Sequence, residues 1–438
     1  MGAPARHPLN AIAGFGNFHR NARMFLVTSL VAGAALSLYW IDFHLYLAAL
    51  GYSYATIGAI ATVASLIAAA LSFPASAASD RFGRRAVIAG GLGLSLVALV
   101  GLLAFEALAA IVLFAALWAV GQQAFQVVVA PYLAEHSDPD HRNELFASQF
   151  AIYSATNVIA AIVGGLVAVT IARHLGFDPE GPGTYRLVLV IMSVLVVVAL
   201  GTVGLLSDDR PRTTLPHELK EAGEPARFPR DPRRPRARFG LVVRDRRRLL
   251  QLVFPGFLIS IGAGQVIPFL NLFIQGKFGL DLATLNGVFA LTSVGTFIAI
   301  LAQPVLARRL GQIGSVVTVQ AVSIPFVVVL GFSPVLWTVV AAMMIRNSLM
   351  NASNPIFTAF AMEQVTSGER ATLSAAMTVI WSAGWVVGGT MYAVSQAALG
   401  FEAGYALNFL ALIALYSAAA SLYWIWFRPD DRRAAYGS

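Results

Sequence analysis

The sequence predicts an all-α membrane protein with twelve transmembrane helices, arranged as two six-helix halves. Three observations predict this fold: the low charge content, twelve apolar segments and an internal repeat. Hydrophobic residues make up 58% of the 438-residue chain, and charged residues only 12%. A soluble domain carries about twice that charged fraction. Soluble domains would therefore lack charged side chains to cover their surface, and the apolar content is too high for a disordered chain.

Twelve segments are long and apolar enough to cross a bilayer. A spanning helix needs ~20 mostly apolar residues, because ~30 Å of hydrocarbon is crossed at about 1.5 Å per residue. In chain order, we number them helices 1 to 12, at about residues 24–50, 55–79, 85–105, 107–134, 144–172, 185–206, 249–276, 283–306, 312–331, 335–364, 370–398 and 404–427. The apolar run from Met24 is too long for a signal-peptide core, so we expect it to form the first spanning helix.

The basic residues predict the orientation of these helices. With the N-terminus in the cytoplasm, three of the 30 basic residues fall on the outer side: Arg173, Arg186 and Lys277. Arg346 lies within helix 10, and the remaining 26 fall on the cytoplasmic side. By the positive-inside rule, this bias predicts a multi-pass protein of the cytoplasmic (inner) membrane with both termini in the cytoplasm. The net charge of +8 is then a topology signal, and we expect no nucleic-acid partner.

An internal repeat relates the two halves of the chain. A shift of 228 residues aligns several stretches without gaps, and it places Glu135 on Glu363. The same shift places Arg142 on Arg370 in the equivalent loop. Small apolar pairs often match by chance, whereas acidic and basic pairs in one register rarely do. The expected organisation is a first half over residues 1–206, a basic cytoplasmic linker over 207–248 and a second half over 249–438. Because six is even, the halves share one orientation, as in parallel-repeat transporters.

The loop between helices 2 and 3 carries a recognisable motif. It reads Ser76-Ala-Ala-Ser-Asp-Arg-Phe-Gly-Arg-Arg, and it resembles the signature loop of the major facilitator superfamily, usually written G-x-L-x-D-R-x-G-R-R. Only the first part departs, where Ser76 replaces Gly and Ala78 replaces Leu. The resemblance implies the major facilitator fold, secondary transport by alternating access and charged gating residues at the cytoplasmic level. The gating candidates are Asp80, Arg81, Gly83, Arg84, Arg85, Glu135, Arg142, Glu363 and Arg370.

One acidic residue, Asp42 in helix 1, lies deep in a predicted helix. By helical rise, Asp42 is roughly 12 Å from the outer end of helix 1, and Arg346 is roughly 16 Å from the outer end of helix 10. At these similar depths, the two side chains either pair directly or share a substrate. An ionisable group in the membrane needs water or a partner and is a functional candidate by default. We therefore expect Asp42 to couple transport to protons, with a static pair that pins the helices as the structural alternative.

Polar and aromatic residues predict the substrate-binding region. The resemblance implies a central cavity lined by helices 1, 4, 7 and 10. Amides in these helices either line an aqueous cavity or hydrogen-bond between helices. Likewise, Trp381 and Trp385 either stack on a flat or cationic substrate or pack in the core. The substrate-binding candidates are Arg346, His44, Trp40, Gln122, Gln126, Gln265, Asn271, Asn347, Asn351 and Trp385.

These features predict a proton-coupled efflux transporter for an amphipathic or drug-like compound. Two alternatives remain open: proton-coupled uptake of a small polar or anionic solute such as an organic acid or a sugar, and a lipid flippase. The sequence has no Walker loop, no clustered acid–base or metal-ligating residues and no cysteine, so we expect neither an ATPase nor another enzyme. We expect no cofactor and no metal. The expected partners are a small-molecule substrate, protons and the lipid bilayer, and the expected state is a monomer.

Overall fold

The computed structural model describes residue 18 and residues 20–135, 142–178, 180–207, 245–310, 312–365 and 369–436. Every regular element in these ranges is helical. The first half contains α1 (Arg20–Ala49), α2 (Tyr54–Phe82), α3 (Arg84–Ala104), α4 (Leu108–Glu135), α5 (Arg142–Leu175) and α6 (Pro182–Val203). The second half contains α7a (Arg246–Val266), a 3₁₀ turn (Ile267–Phe269), α7b (Leu270–Phe278), α8 (Leu282–Leu310), α9 (Gln312–Phe332) and α10 (Leu336–Glu363). One last element, Arg370–Tyr436, is broken at Gly400 into α11 (residues 370–399) and α12 (residues 401–436).

This architecture confirms the predicted all-α membrane fold. In the part of the chain that the structure describes, nine helical stretches are long and apolar enough to cross a membrane. One of them spans Thr372–Phe427 and covers both α11 and α12. The helices α8 and α10 are not among the nine, and α10 carries a buried arginine and several asparagines in its middle. Together the elements overlap all twelve predicted segments and are consistent with twelve spans.

The internal repeat is visible in the turns that precede α2 and α8. Gly51 has φ 87° and Gly279 has φ 61°, a left-handed region that favours glycine. Two residues later, Ser53 accepts a hydrogen bond at 3.2 Å and Asp281 accepts one at 2.7 Å, each from the backbone N–H three residues on. Both are helix N-caps. This capping, through Thr284, holds the pKa of the Asp281 carboxyl below its usual value.

The seventh helix differs from the expectation. The sequence predicts one continuous helix over residues 249–276, but the structure interrupts it with a 3₁₀ turn at Ile267–Phe269. Pro268 lies in this turn and has no N–H to donate to the helical ladder, which weakens the helix at this point. After the break, Asn271 at the start of α7b donates its side-chain amide to the carbonyl of Ile41 at 2.5 Å. The break therefore directs an amide of the second half onto α1.

We call the side of the bundle where α1 begins the terminal side, and the opposite side the distal side. The halves meet where α2 packs on α11, α5 on α8 and α1 on α7b. A Cβ at Gly58 would lie 2.6 Å from the Tyr392 ring, and one at Gly165 would lie 2.6 Å from the Asn286 amide nitrogen. Both contacts lie towards the distal ends of their helices. They are repeat equivalents, because the 228-residue shift places Gly58 on Asn286.

Candidate functional site

A cavity of about 460 Å³ lies between the two halves in the middle of the bundle. Its walls come from α1, α2, α4, α5, the seventh helix and α11. No Lys, Arg, Asp or Glu is among its described lining residues. The aromatic side chains on its walls are Tyr39, Trp40, Phe43, Trp118, Tyr153, Phe269, Trp381 and Trp385. The site is therefore an uncharged aromatic cavity.

The aromatic side chains of α1 organise one wall of this cavity. Tyr39 stacks on Phe43 one turn later, with ring centroids 4.4 Å apart, and on Trp118 of α4 at 4.5 Å. Trp40 meets Trp385 of α11 edge-on at 5.8 Å, so aromatic groups of both halves touch across the cavity. Trp40 keeps 46% of its surface exposed, which leaves indole surface for a flat or cationic ligand.

Polar side chains complete the lining. His44, Gln122, Gln123 and Gln126 all face the cavity. The Gln122 amide also donates to Ser95 Oγ on α3 at 3.4 Å, which anchors it, whereas Gln126 is exposed. The cavity thus offers hydrogen-bond donors and acceptors, and none of its described lining residues is a Lys, Arg, Asp or Glu.

Asp42 lies on another face of α1, outside this cavity and in the contact between the halves. It is 2% exposed. Asn286 of α8 donates its side-chain amide to Asp42 Oδ1 at 3.2 Å. Among the described residues, Asp42 Oδ2 has no hydrogen-bond partner, and neither have the side-chain oxygens of Asn271 and Asn286. Asp42 is therefore a buried acid with a single neutral donor.

Arg346 does not pair with Asp42, which corrects the direct pair that their similar depths allowed. The guanidinium donates to the Tyr416 hydroxyl at 2.5 Å and to Asn347 Oδ1 at 2.9 Å. It also lies 5.5 Å from the centre of the Tyr416 ring. Depth along a helix does not determine the direction around it, and α10 turns this side chain towards α12. Arg346 is 4% exposed and is not among the lining residues of the central cavity.

The other amide candidates are not among the described lining residues of the central cavity. Gln265 is fully buried, and neither end of its amide has a partner in the described part of the chain. Asn351 donates to the backbone carbonyl of Asn347 at 2.9 Å. The expectation that helix 10 lines the central cavity is wrong for the described lining, since α10 contributes to a separate cavity within the second half. Trp40, His44, Gln122, Gln126 and Trp385 are the candidates that do line the central cavity.

Sequence reasoning missed part of the lining. It overlooked the small-residue face of α2, which includes Ala61, Ser65 and Ala68, and the aromatic pair Tyr39 and Phe43. A signal for that pair was present, because aromatic residues four positions apart share one face of a helix. No comparable signal marked the α2 face, since small apolar residues are common throughout this chain.

On the terminal side, the described gating candidates contact groups of their own half. Arg84 donates to Ser79 Oγ at 2.8 Å, and Arg85 donates to the carbonyl of Gly204 at 3.2 Å. The Arg81 guanidinium lies 5.3 Å from the centre of the Phe82 ring. These contacts tie the loop between α2 and α3 to the end of α6.

Of the six remaining gating candidates, the structure describes two, Gly83 and Glu363. Gly83 has φ 95° and links α2 to α3 in a conformation that favours glycine. Glu363 accepts a hydrogen bond from the Gln312 side chain at 3.1 Å, again within its own half. The other four side chains lie outside the described part of the structure: Asp80, Glu135, Arg142 and Arg370.

Known proteins with the same architecture are membrane transporters. The nucleoside transporter NupG superposes with a TM-score of 0.69 at 12% identity, covering 92% of this chain and 99% of that one. A bacterial homologue of the human lysosomal transporter Spinster, in an inward-facing and occupied conformation, gives a TM-score of 0.70 at 14% identity, with 97% and 98% covered. A bacterial homologue of the iron transporter ferroportin, in an inward-facing state, gives 0.71 at 14% identity, with 93% and 98% covered. At these identities, the likeness is one of fold.

The sequence itself also matches a family. No curated protein sequence matches this chain significantly. A family model described as Major Facilitator Superfamily matches residues 25–389, well over half of the chain. This match covers the signature loop between α2 and α3, nearly all of the first half and the second half as far as α11. The chain belongs to the major facilitator superfamily of transporters.

Proposed function

We propose that this transporter exports amphipathic compounds with an aromatic or cationic group, in exchange for protons. The observation that carries the proposal is the uncharged aromatic cavity between the halves. Tryptophan and tyrosine faces attract flat rings and organic cations. An anionic solute would need a cation in the binding site, and none lines the described walls of the cavity. Amphipathic compounds with an apolar ring partition into bilayers, so a carrier that moves them outwards opposes their entry.

Asp42 is the proposed proton site. An ionised carboxyl is unfavourable in a buried contact with a single neutral donor, and Asn286 is the one donor that Asp42 has in the described structure. Asp42 would therefore hold a proton while the distal contact is closed. Opening the distal side would admit water to Asp42, which would then take up its proton from the outer solution. After the distal contact closes, Asp42 would hold this proton until a substrate bound in the central cavity shifts α1 and loosens the contact with Asn286. The proton would then leave towards the terminal side, so that one proton enters for each substrate exported.

The transport cycle would break and remake this distal contact. When the distal side opens, Asn286 must leave Asp42, and Asn271 must leave the carbonyl of Ile41. The charged loops on the terminal side, including the signature loop with Asp80 and Arg81, would then come together and close that side. Each half contributes walls to the central cavity, so a monomer would suffice for this cycle.

We place the terminal side in the cytoplasm of a cell with an energised inner membrane, from the distribution of basic residues. The chain has no cysteine, so single cysteines report topology cleanly. Ala222→Cys in the linker should stay unlabelled by an impermeant thiol reagent applied to intact cells, and Glu180→Cys in a distal turn should be labelled. The reverse pattern would invert the topology.

Transport in proteoliposomes tests the proposed function. Purified protein is reconstituted with an imposed pH gradient, and movement of ethidium, tetraphenylphosphonium and, as an anionic comparison, benzoate is measured together with proton flux. The proposal expects that the cationic aromatic probes move against the proton flux and that benzoate does not. Transport of benzoate alone, or probe movement without proton flux, would contradict it.

A further inference from the structure

A second cavity lies within the second half, close to the terminal side. Its volume is about 190 Å³, and its walls come from α7a, α9, α10, α11 and α12. Trp381 lines both this cavity and the central one, so the indole of Trp381 separates two neighbouring spaces. We call the smaller space the side cavity.

At two positions of the side cavity, the second half carries small side chains where the first half carries aromatic rings. In the first half, Phe25 stacks on Phe125 with ring centroids 6.1 Å apart, and the equivalent space is only about 20 Å³. The 228-residue shift places Phe25 on Val253 and Phe125 on Ser353. Both of these smaller residues line the side cavity. These two exchanges leave room at this end of the cavity, while Phe357 and Tyr423, which the same shift relates to Val129 and Leu195, supply rings on its other walls.

Contacts between the neighbouring helices support this register. In the first half, the Gln122 amide donates to Ser95 Oγ at 3.4 Å between α4 and α3. In the second half, Ser323 Oγ donates to the Met350 sulfur at 3.5 Å between α9 and α10. The same shift relates both pairs, so equivalent positions in the two halves occupy equivalent places in the fold.

The side cavity also contains a polar group that packing does not require. Gln320 lines it and is 4% exposed, and among the described residues its Oε1 has no hydrogen-bond partner. A buried acceptor without a donor is unfavourable. The equivalent residue of the first half is Leu92, which is fully buried, so the fold accepts an apolar side chain at this position. A ligand that donates a hydrogen bond to Gln320 would relieve the unpaired acceptor.

The remaining walls fit an aromatic ring. Met350 and Met377 supply flexible, polarisable thioethers, and Phe357, Trp381 and Tyr423 supply ring faces. A dry apolar cavity of about 150 Å³ holds benzene, so the side cavity has room for one ring system. None of its described lining residues is charged.

We propose that the side cavity is a binding subsite for an uncharged aromatic group with an N–H or O–H donor, held by Gln320 and by the ring of Trp381. That this aromatic group is part of the transported compound rests on the proposed function. Binding itself does not depend on it, because the subsite is built entirely from the second half.

The test uses indole, which donates one hydrogen bond, and 1-methylindole, which donates none. Saturation-transfer NMR measures binding of each probe to the full chain in nanodiscs, with empty nanodiscs as the lipid background. The wild type should bind indole about five- to tenfold more tightly than 1-methylindole. Gln320→Leu should remove this preference, because it deletes the acceptor and installs the residue that the first half carries at the equivalent position.

A filled variant tests the cavity itself. Val253→Phe with Ser353→Phe restores the rings of the first half and should remove the tighter, donor-dependent binding of indole. Any binding that remains in the central cavity should then be equal for indole and 1-methylindole. Val328→Phe is the matched control, since Val328 is exposed on α9 and is not among the described lining residues of the side cavity or the central cavity, and it should bind as the wild type does. The single variants Val253→Phe and Ser353→Phe serve if the double variant does not fold.

Two results would overturn the proposal: wild-type indole binding by a folded filled variant, or a donor preference that survives Gln320→Leu. Failure of the proposed function is distinguishable, because these measurements need no gradient and no turnover. If Asp42→Asn loses proton coupling, or if no coupling exists at all, indole binding in the side cavity should be unchanged.

Discussion

Replacement of Asp42 by asparagine is the sharpest test of the coupling proposal. The substitution removes the exchangeable proton and the charge but keeps nearly the same shape. Asn286 donates to Oδ1 of Asp42 at 3.2 Å, and an asparagine oxygen can accept that same hydrogen bond. One neutral hydrogen bond contributes about 0.5–1.5 kcal/mol. Because it is retained, we expect Asp42→Asn to change the free energy of unfolding by less than about 1 kcal/mol.

The effect on coupled transport should be much larger. If one proton exchanges per substrate, a gradient of one pH unit can support about tenfold accumulation of the substrate, since one pH unit corresponds to about 1.4 kcal/mol. Asp42→Asn cannot exchange a proton at this site. Its accumulation ratio should therefore fall to about one, whereas exchange of labelled for unlabelled substrate across the membrane should persist.

The assay compares both activities in proteoliposomes with tetraphenylphosphonium as the probe. Asp281→Asn is a matched control, because it changes a carboxyl of a distal turn into an equally good helix cap and leaves the membrane interior unaltered. That control should accumulate the probe as the wild type does. Full accumulation by Asp42→Asn would refute the coupling role and leave Asp42 as a structural contact between the halves.

Three further predictions concern the gate, the buried arginine and a helix cap. Asp80→Asn should fold normally, because exposed pairs are worth ~0–1 kcal/mol, but should slow turnover roughly 5- to 30-fold; unchanged turnover would reduce the motif to a topology signal. The destabilisations of Asp42→Asn and Arg346→Gln, measured by thermal unfolding, should add within about 0.5 kcal/mol, because the two side chains do not touch; a larger coupling would contradict their separation. Asp281→Ala should lower the free energy of unfolding by ~1 kcal/mol, and Asp281→Ser should lower it much less, since Ser53 caps the equivalent helix. Equal losses of stability in the two variants would exclude capping. Because the hydrogen bond lowers the pKa of Asp281, the cap should act fully above the unfolded-state pKa of about 3.9 and weaken as the pH falls through the folded-state value.

The helices and the repeat could be predicted because both are properties of the chain itself. Apolar segment length determines which stretches can span a bilayer, and the repeat register carries over from sequence to structure at Gly51 and Gly279. The break at Pro268 was only partly predictable. Several prolines lie inside uninterrupted helices, such as Pro74 in α2 and Pro325 in α9, so proline alone does not decide where a helix breaks.

The site was harder to predict, because it depends on the direction of each side chain around its helix. Sequence depth suggested that Asp42 and Arg346 could meet, but each has a nearer partner, Asn286 and Tyr416. Those partners lie on helices that sequence analysis did not connect with the site. Similarly, Trp385 was recognised as a candidate, but its contact with Trp40 requires α1 and α11 to cross at one particular position.

The position of Asp42 also constrains how a substrate and a proton can influence each other. Trp40 and His44 face the central cavity, while Asp42, between them in sequence, contacts α8 through Asn286. A ligand in the cavity therefore cannot touch Asp42 directly in this conformation. Coupling would instead run through α1 as a rigid element, because a ligand that displaces the face with Trp40 also displaces the face that holds Asp42 against Asn286. Weakening the Asn286 contact should then alter the proton dependence of transport without altering which ligands the cavity accepts.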